Sequence, residues 1–167
     1  GHGYYRPPSV EPGTLGATAS FWEIGIGGAE VSVDRETGAI TVLRYVTLTD
    51  AGRAINPAGV EGQDQGGAMM GLGPALFEGL VYEGGQLLNP SLVDYRVPLF
   101  SDLPAAFDTI LVEGGGGPGP HGAKGVAEGS IIPVAPAIAN ALAAATGVRI
   151  KDLPLTPERV WRALRGS

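Results

Sequence analysis

Over residues 19–34 apolar side chains alternate, with Trp22, Ile24 and Ile26 followed by Val31 and Val33. A period of two predicts a half-buried β-strand. The apolar phase changes across Gly27 and Gly28, so a β-bulge is expected there. Residues 34–38 (DRETG) read as a turn ending in glycine. Ile40, Val42, Val46 and Leu48 then predict the return strand of a hairpin. Asn56 and Pro57 mark a helix start, since Asn can accept from an orphan amide and Pro suits the first helical position. Six glycines follow between Gly59 and Gly73, each costing about 1 kcal/mol against alanine in a helix interior. Only close packing of this backbone on another surface would offset that handicap. Pro74 is expected to kink or end the helix. Its core residues are Leu72, Ala75, Leu76 and Phe77, and its polar side chains are Glu61, Gln63, Asp64 and Gln65.

A short second hairpin is predicted over residues 80–88, an irregular stretch over 89–104, and a strand over 109–113. An alanine-rich helix spans 134–145 and is closed by Gly147, and a last helix runs over 157–164 with Thr156 as its cap. The fold class that follows is α+β: a two-layer domain with a mixed β-sheet of hairpins packed against about three helices. Residues 1–18, with Pro7, Pro8 and Pro12, are expected to form an extended arm, and 19–167 the domain itself.

Residues 113–130 (EGGGGPGPHGAKGVAEGS) change the picture. Glycine loses more backbone freedom on folding than any other residue, so so rich a run is either a spacer or a place where bare backbone meets something bulky. Gly117, Gly119 and Gly122 match G-x-G-x-x-G literally. Yet two prolines fill variable positions and no helix is expected to open at Gly122, so the dinucleotide template fits poorly. A P-loop fails as well, because Ala123 separates Gly122 from Lys124 and neither Ser nor Thr follows. An anion nest of backbone amides stays open. Glu128 is the lone acid near the end of the run. It reads either as a solvated surface acid able to pair with Lys124, or as a general base held ionised near a helix start. Gln63 reads either as an exposed helix position or as an amide offering one acceptor and two donors to a polar heterocycle.

Composition narrows the classes. At 167 residues the chain has the length of one domain, and 44% hydrophobic with 17% charged residues fits a globular fold. A net charge of −6 disfavours nucleic acid as a partner. There is no cysteine, so this chain cannot itself hold an iron–sulfur cluster, and two histidines make a protein-ligated zinc site a poor expectation. No apolar run reaches membrane-spanning length and no signal peptide is visible, which points to the cytoplasm. The opening Gly1-His2-Gly3, already inside a Tyr- and Pro-rich segment, reads as either an engineered scar or an internal cut.

Eight collinear motifs carry a resemblance. They are 29–38 (AEVSVDRETG), 50–57 (DAGRAINP), 61–63 (EGQ) leading to 71–73 (GLG), Asn89 with Asp94-Tyr95, 102–104 (DLP), 122–128 (GAKGVAE), 136–140 (PAIAN) and 153–160 (LPLTPERV). Together they resemble the carboxy-terminal end of the molybdenum-binding large subunit of the xanthine dehydrogenase/aldehyde oxidase family. The resemblance implies a molybdenum hydroxylase that oxidises a heterocycle or aldehyde with oxygen derived from water. It implies molybdopterin as cofactor, with or without a dinucleotide extension, the molybdenum being held by the pterin dithiolene rather than by protein ligands. It maps the general base onto Glu128 and cofactor contacts onto Gln63, Gly125, Val126 and Ala127. Ala127 stands where relatives usually carry glycine, and so adds a methyl beside the cofactor. The implied partners are the remaining molybdenum-binding domains, an iron–sulfur subunit with [2Fe–2S] clusters and an FAD subunit. The chain alone is then expected to be inactive. An alternative expectation is a non-catalytic cofactor-binding or assembly module of the same fold.

Overall fold

The computed structural model describes residues 1–4, 21–114 and 116–166. Most of the expected amino-terminal arm therefore lies outside the described residues. Three strands form the main sheet: β1 (Gly25–Val33), β2 (Ile40–Asp50) and, across a long connection, a strand at Ala106–Val112. The connection holds helix α1 (Pro57–Leu76) and a two-stranded hairpin, β3 (Tyr82–Glu83) and β4 (Gln86–Leu87), so the third sheet strand is β5. β2 is central, antiparallel to β1 and parallel to β5. Helices α2 (Val134–Thr146) and α3 (Pro157–Leu164) complete the chain. The mixed sheet on one side and helices on the other make the expected α+β arrangement.

Local chemistry sets most boundaries. Asp34 accepts the amides of Glu36 and Thr37 through Oδ1, and Gly38 at φ 77° closes the β1–β2 turn. Asn56 Oδ1 accepts the Gly59 amide at the start of α1, and Thr156 Oγ1 accepts the Arg159 amide at the start of α3. Gly147, left-handed at φ 80°, ends α2. Pro74 does not stop α1 at once. The helix continues to Leu76, after which the Phe77 and Glu78 amides both turn back to Gly73 O, at 2.9 and 2.7 Å. A proline near the C-terminal end removes one ladder donor without preventing this closure.

The bulge lies elsewhere than expected. β1 alternates without a break: Ala29, Val31 and Val33 pack on the core, while Ile24 and Ile26 face outward and are more than half exposed. The irregularity sits in β2, where Glu30 pairs with Arg44 but Val31 pairs with Val42, leaving Leu43 as the extra residue. An extra residue reverses which side chains face in. Val42 is buried before it, and Tyr45, Thr47 and Thr49 after it, so Val46 and Leu48 are not the inward set that simple alternation predicts.

The core joins both layers. Val42 and Tyr45 of the sheet pack with Ala68, Leu72 and Ala75 of α1 and with Val134, Ile138 and Leu142 of α2. Leu155 and Val160 extend it, and the Leu155 amide donates to Ala75 O at 2.7 Å, using a carbonyl that the end of α1 leaves free.

Candidate functional site

β5 delivers the chain to the glycine run, which is tied down at once. The Glu113 carboxylate accepts the Ala54 amide at 2.9 Å, linking it to the segment that enters α1. The run then folds on itself through a short 3₁₀ turn at Pro120–Gly122. The Gly117 and Arg53 amides both donate to Gly122 O, at 2.7 and 3.0 Å, and the Gly119 amide donates to Ala123 O at 3.0 Å. These amides are satisfied internally, so they form no anion nest. His121 occupies the tip of the turn at φ 59°, the one positive φ outside glycine among the described residues.

Lys124 follows, and its partner is not Glu128. Its ammonium pairs with Asp50 at 2.6 Å and donates to Trp22 O at 3.1 Å, with the two side chains only 10% and 16% exposed. Lys124, and after it the Gly52 amide, hold the Asp50 carboxyl below the usual carboxylate range.

Residues 125–133 wedge between the sheet and α1. A β-carbon on Gly25 would lie 2.8 Å from Gly129 O, and one on Gly71 would lie 2.6 Å from Val134. A β-carbon on Gly67 would collide with the Ser130 hydroxyl, and Ser130 is buried. Close approach to the protein's own chain thus accounts for Gly67 and Gly71. Gly62 and Gly66, by contrast, face open space. At the crest of the wedge Glu128 is exposed, its carbonyl accepting the Ile131 amide at 3.1 Å.

Helix and loop are joined by one side chain. Gln63 Nε2 donates to Ala127 O at 3.0 Å, which leaves the Gln63 carboxamide oxygen available as an acceptor. Gln63 and Val126 line an open cleft of about 270 Å³ together with Arg53, Asn56, Val60 and Lys124. Of the residues proposed from sequence, the structure therefore brings Gln63, Val126 and Ala127 together. Gly125 and Glu128, next in sequence to Val126 and Ala127, do not line that cleft; a β-carbon on Gly125 would come 3.1 Å from the Phe21 ring.

Two acids lie beneath the loop unforeseen. Asp64, next to Gln63, is buried and accepts the Thr49 hydroxyl at 2.8 Å and the Thr47 hydroxyl at 3.4 Å. Glu23 sits against Gly129, with Oε1 enclosed and unpaired. Burial pushes its carboxyl up, the nearby Ala127 backbone pulls the other way, and Asp64 pushes it up further. A second acid is thus near Glu128, although turned inward. The Thr-Leu-Thr pattern at 47–49 carried the signal for Asp64, but only with the bulge known. Among the described residues no group of three His, Cys, Asp or Glu side chains converges as a metal site.

Residues 1–104 match the molybdopterin cofactor-binding domain family. The chain belongs to that family. It is 41% identical to the xanthine dehydrogenase molybdenum-binding subunit of Escherichia coli O157:H7 over 79% of its own length and 18% of the relative's. It is 37% identical to the gamma subunit of the 6-hydroxypseudooxynicotine dehydrogenase complex of Paenarthrobacter nicotinovorans, over 96% of the chain and 21% of that subunit. Among solved structures, the aldehyde oxidoreductase of Desulfovibrio gigas superposes with a TM-score of 0.77 at 36% identity, over 86% of this chain and 15% of that one. Quinoline 2-oxidoreductase from Pseudomonas putida 86 gives 0.75 at 34%, over 81% and 18%. This member of the family thus spans about a fifth of the length of its curated relatives.

Proposed function

We propose that this chain forms one wall of the pterin site of a molybdenum hydroxylase and supplies its general base, Glu128. The observation that carries the reading is the Gln63–Ala127 hydrogen bond. It fixes the loop bearing the exposed Glu128 to the cleft edge formed by α1.

The residues present suit molybdopterin on one side. Gln63, its carboxamide oxygen free to accept, lines a cleft with Gly59 and the apolar Val126, a setting for the edge of a flat heterocycle with donors and acceptors. Arg53 on the same rim suits a phosphate. Gln63, Val126 and Ala127 would hold the group, while the bare face of Gly125 packs against the Phe21 ring. When bound, molybdopterin supplies the two-electron chemistry by which a substrate carbon gains oxygen from water.

The chain's own contribution is position and proton transfer. Glu128, exposed two residues after the cleft-lining Val126, takes up at a carboxylate oxygen the proton released as the water-derived oxygen attacks. The cleft is open, so the rest of the site and the substrate pocket come from other parts of a larger subunit. The proteins it resembles are named for xanthine, 6-hydroxypseudooxynicotine, quinoline and aldehydes, which supports a substrate among N-heterocycles and aldehydes. With no cysteine here, the [2Fe–2S] clusters that carry electrons away, and any FAD, belong to partner domains or subunits.

Glu128→Gln in the assembled enzyme tests the assignment. Molybdenum content should be unchanged and kcat should fall by about 10²–10⁴-fold. Turnover within tenfold of wild type would remove Glu128 from the role.

A further inference from the structure

A closed ring of contacts surrounds one space between β1, α1 and the wedge. The Asp50 amide donates to Ile24 O at 3.0 Å, which carries the β1–β2 pairing back past Gly25. Side chains alternate along a strand, so Glu23 shares the inward face with Gly25. Gly25 pairs with Thr49, whose hydroxyl donates to Asp64 of α1 at 2.8 Å. One turn further along α1, Gly67 meets the Ser130 hydroxyl. Ser130 follows Gly129, whose carbonyl would lie 2.8 Å from a β-carbon on Gly25. A β-carbon on Gly129 itself would sit 2.6 Å from the Glu23 carboxylate, which closes the ring.

The polar side chains on this ring, Glu23, Thr49, Asp64 and Ser130, all end in oxygen. Two of their oxygens are enclosed and unpaired: Glu23 Oε1 and the hydroxyl of Ser130, a residue only 1% exposed. Asp64, equally buried, accepts the hydroxyls of Thr49 and Thr47. The ring therefore holds two carboxyl groups and no cationic side chain. Lys124 reaches the Trp22 carbonyl next to Glu23, but it is paired with Asp50. Burial first, and the charge of Asp64 as a smaller cause, push the Glu23 carboxyl up, as is expected where like charges share an enclosure. Buried carboxylates are paired with a cation or coordinate one, because enclosing bare charge costs far more than enclosing a neutral group.

We propose that this ring binds an alkali-metal cation, sodium or potassium, held by the Glu23 carboxylate, the Asp64 carboxylate and the Ser130 hydroxyl. A water molecule would serve both unpaired oxygens yet leave the two carboxylates without a countercharge. Soft metals select nitrogen or sulfur, which no side chain of the ring offers. Calcium takes roughly six to eight oxygens, several of them from carboxylates. Here both Asp64 oxygens already accept a hydroxyl, which leaves Glu23 as the main anionic ligand and suits a single positive charge. The ion joins the entry to β1, helix α1 and the wedge behind Glu128. It requires no pterin, so the site stands whether or not Glu128 is the base.

The test follows thermal unfolding of the full chain in sodium, potassium or N-methylglucamine chloride at equal ionic strength, so that screening is common to all three. At least one alkali salt should raise Tm by about 3–6 °C over N-methylglucamine, saturating with concentration. Glu23→Gln keeps the shape and removes the charge. It should melt no lower than wild type in N-methylglucamine, where it relieves repulsion, and should lose the alkali shift. Glu61→Gln, at an exposed acid of the same helix, should keep it. Hydrogen exchange of a wild-type peptide covering residues 128–132 should slow in the stabilising salt, a reading that needs no variant to fold. Equal Tm in all three salts overturns the proposal. So does a shift that Glu23→Gln retains, or unchanged exchange over 128–132, since either puts the ion elsewhere. Stabilisation by calcium chloride without any by the alkali salts overturns the choice of ion.

Discussion

The Asp50–Lys124 ion pair shows what a residue-level contact can do for a site it does not touch chemically. Lys124 bridges the end of β2, the Trp22 backbone and the start of the wedge that carries Glu128. Because the pair is largely shielded, removing one partner leaves the other poorly solvated, whereas the exposed Arg44–Asp108 pair contributes little. Lys124→Met is expected to cost roughly 1–3 kcal/mol, softened by the Gly52 amide that still serves Asp50. Denaturant unfolding of the assembled protein should show it. The pH dependence has a definite sign. The Asp50 carboxyl is depressed in the folded protein, so its stabilisation is complete above the ordinary aspartate value of about 3.9 and is lost as pH falls through the lower folded value. Asp50→Asn should therefore narrow its deficit relative to wild type on acidification below about pH 4. A deficit constant from pH 7 to pH 3 contradicts this. At this scale little was legible: Asp64 is defined by contacts 15 and 17 residues away, the true partner of Lys124 by one 74 residues away, and Glu23 by a neighbour at the far end of the glycine run, and no local pattern points to them.

Elements were more legible, because their ends are local chemistry. Asn56-Pro57, Thr156-Pro157 and Gly147 announce helix boundaries in a few residues, and the structure places caps there. The side of a strand that faces inward is a different matter. Leu43 looks like any other apolar strand residue, and only pairing with β1 reveals it as the extra one. The glycine-rich helix illustrates both cases. Its need for a close neighbour follows from propensity alone, but the identity of that neighbour, Ser130 to Val134, does not. Gly71→Leu is expected to separate α1 from the start of α2, at a cost of roughly 1–3 kcal/mol or more from overpacking. Gly62→Ala faces open space in this chain and should be neutral or stabilising by about 1 kcal/mol. Thermal unfolding of the two variants checks the contrast. Equal destabilisation would mean that the two halves of α1 are not different environments.

On the scale of the whole molecule, no layer among the described residues covers one face of the sheet. Ile26, Leu48 and Ile110 are aligned across β1, β2 and β5, and Ile26 and Ile110 are about half exposed, with Trp22 and Ile24 beside them. Three-stranded sheets are seldom left with an apolar outer face in water. The curated relatives are about five times longer, and under the proposed function another part of such a subunit would be the occupant of this face. Ile26→Thr with Ile110→Thr should make the separately expressed chain less prone to self-association in light scattering, while weakening its incorporation into the assembled enzyme. Undiminished incorporation contradicts the assignment. Among the described residues no helix is long and apolar enough to cross a membrane.

The extra residue at Leu43 has a consequence beyond geometry. A strand's sidedness is binary, so one residue decides whether everything after it presents its odd or its even set to the interior. With Leu43 present, Tyr45, Thr47 and Thr49 turn inward, and Asp64 finds hydroxyls behind the helix that carries Gln63. Deleting that single position would offer Val46 and Leu48 instead, and Asp64 would face hydrocarbon. The polar floor beneath the Glu128 loop is therefore inherited as a count of residues as much as a choice of them. A length change of one at this strand is the smallest heritable step that could erase it while every site side chain stayed in the sequence.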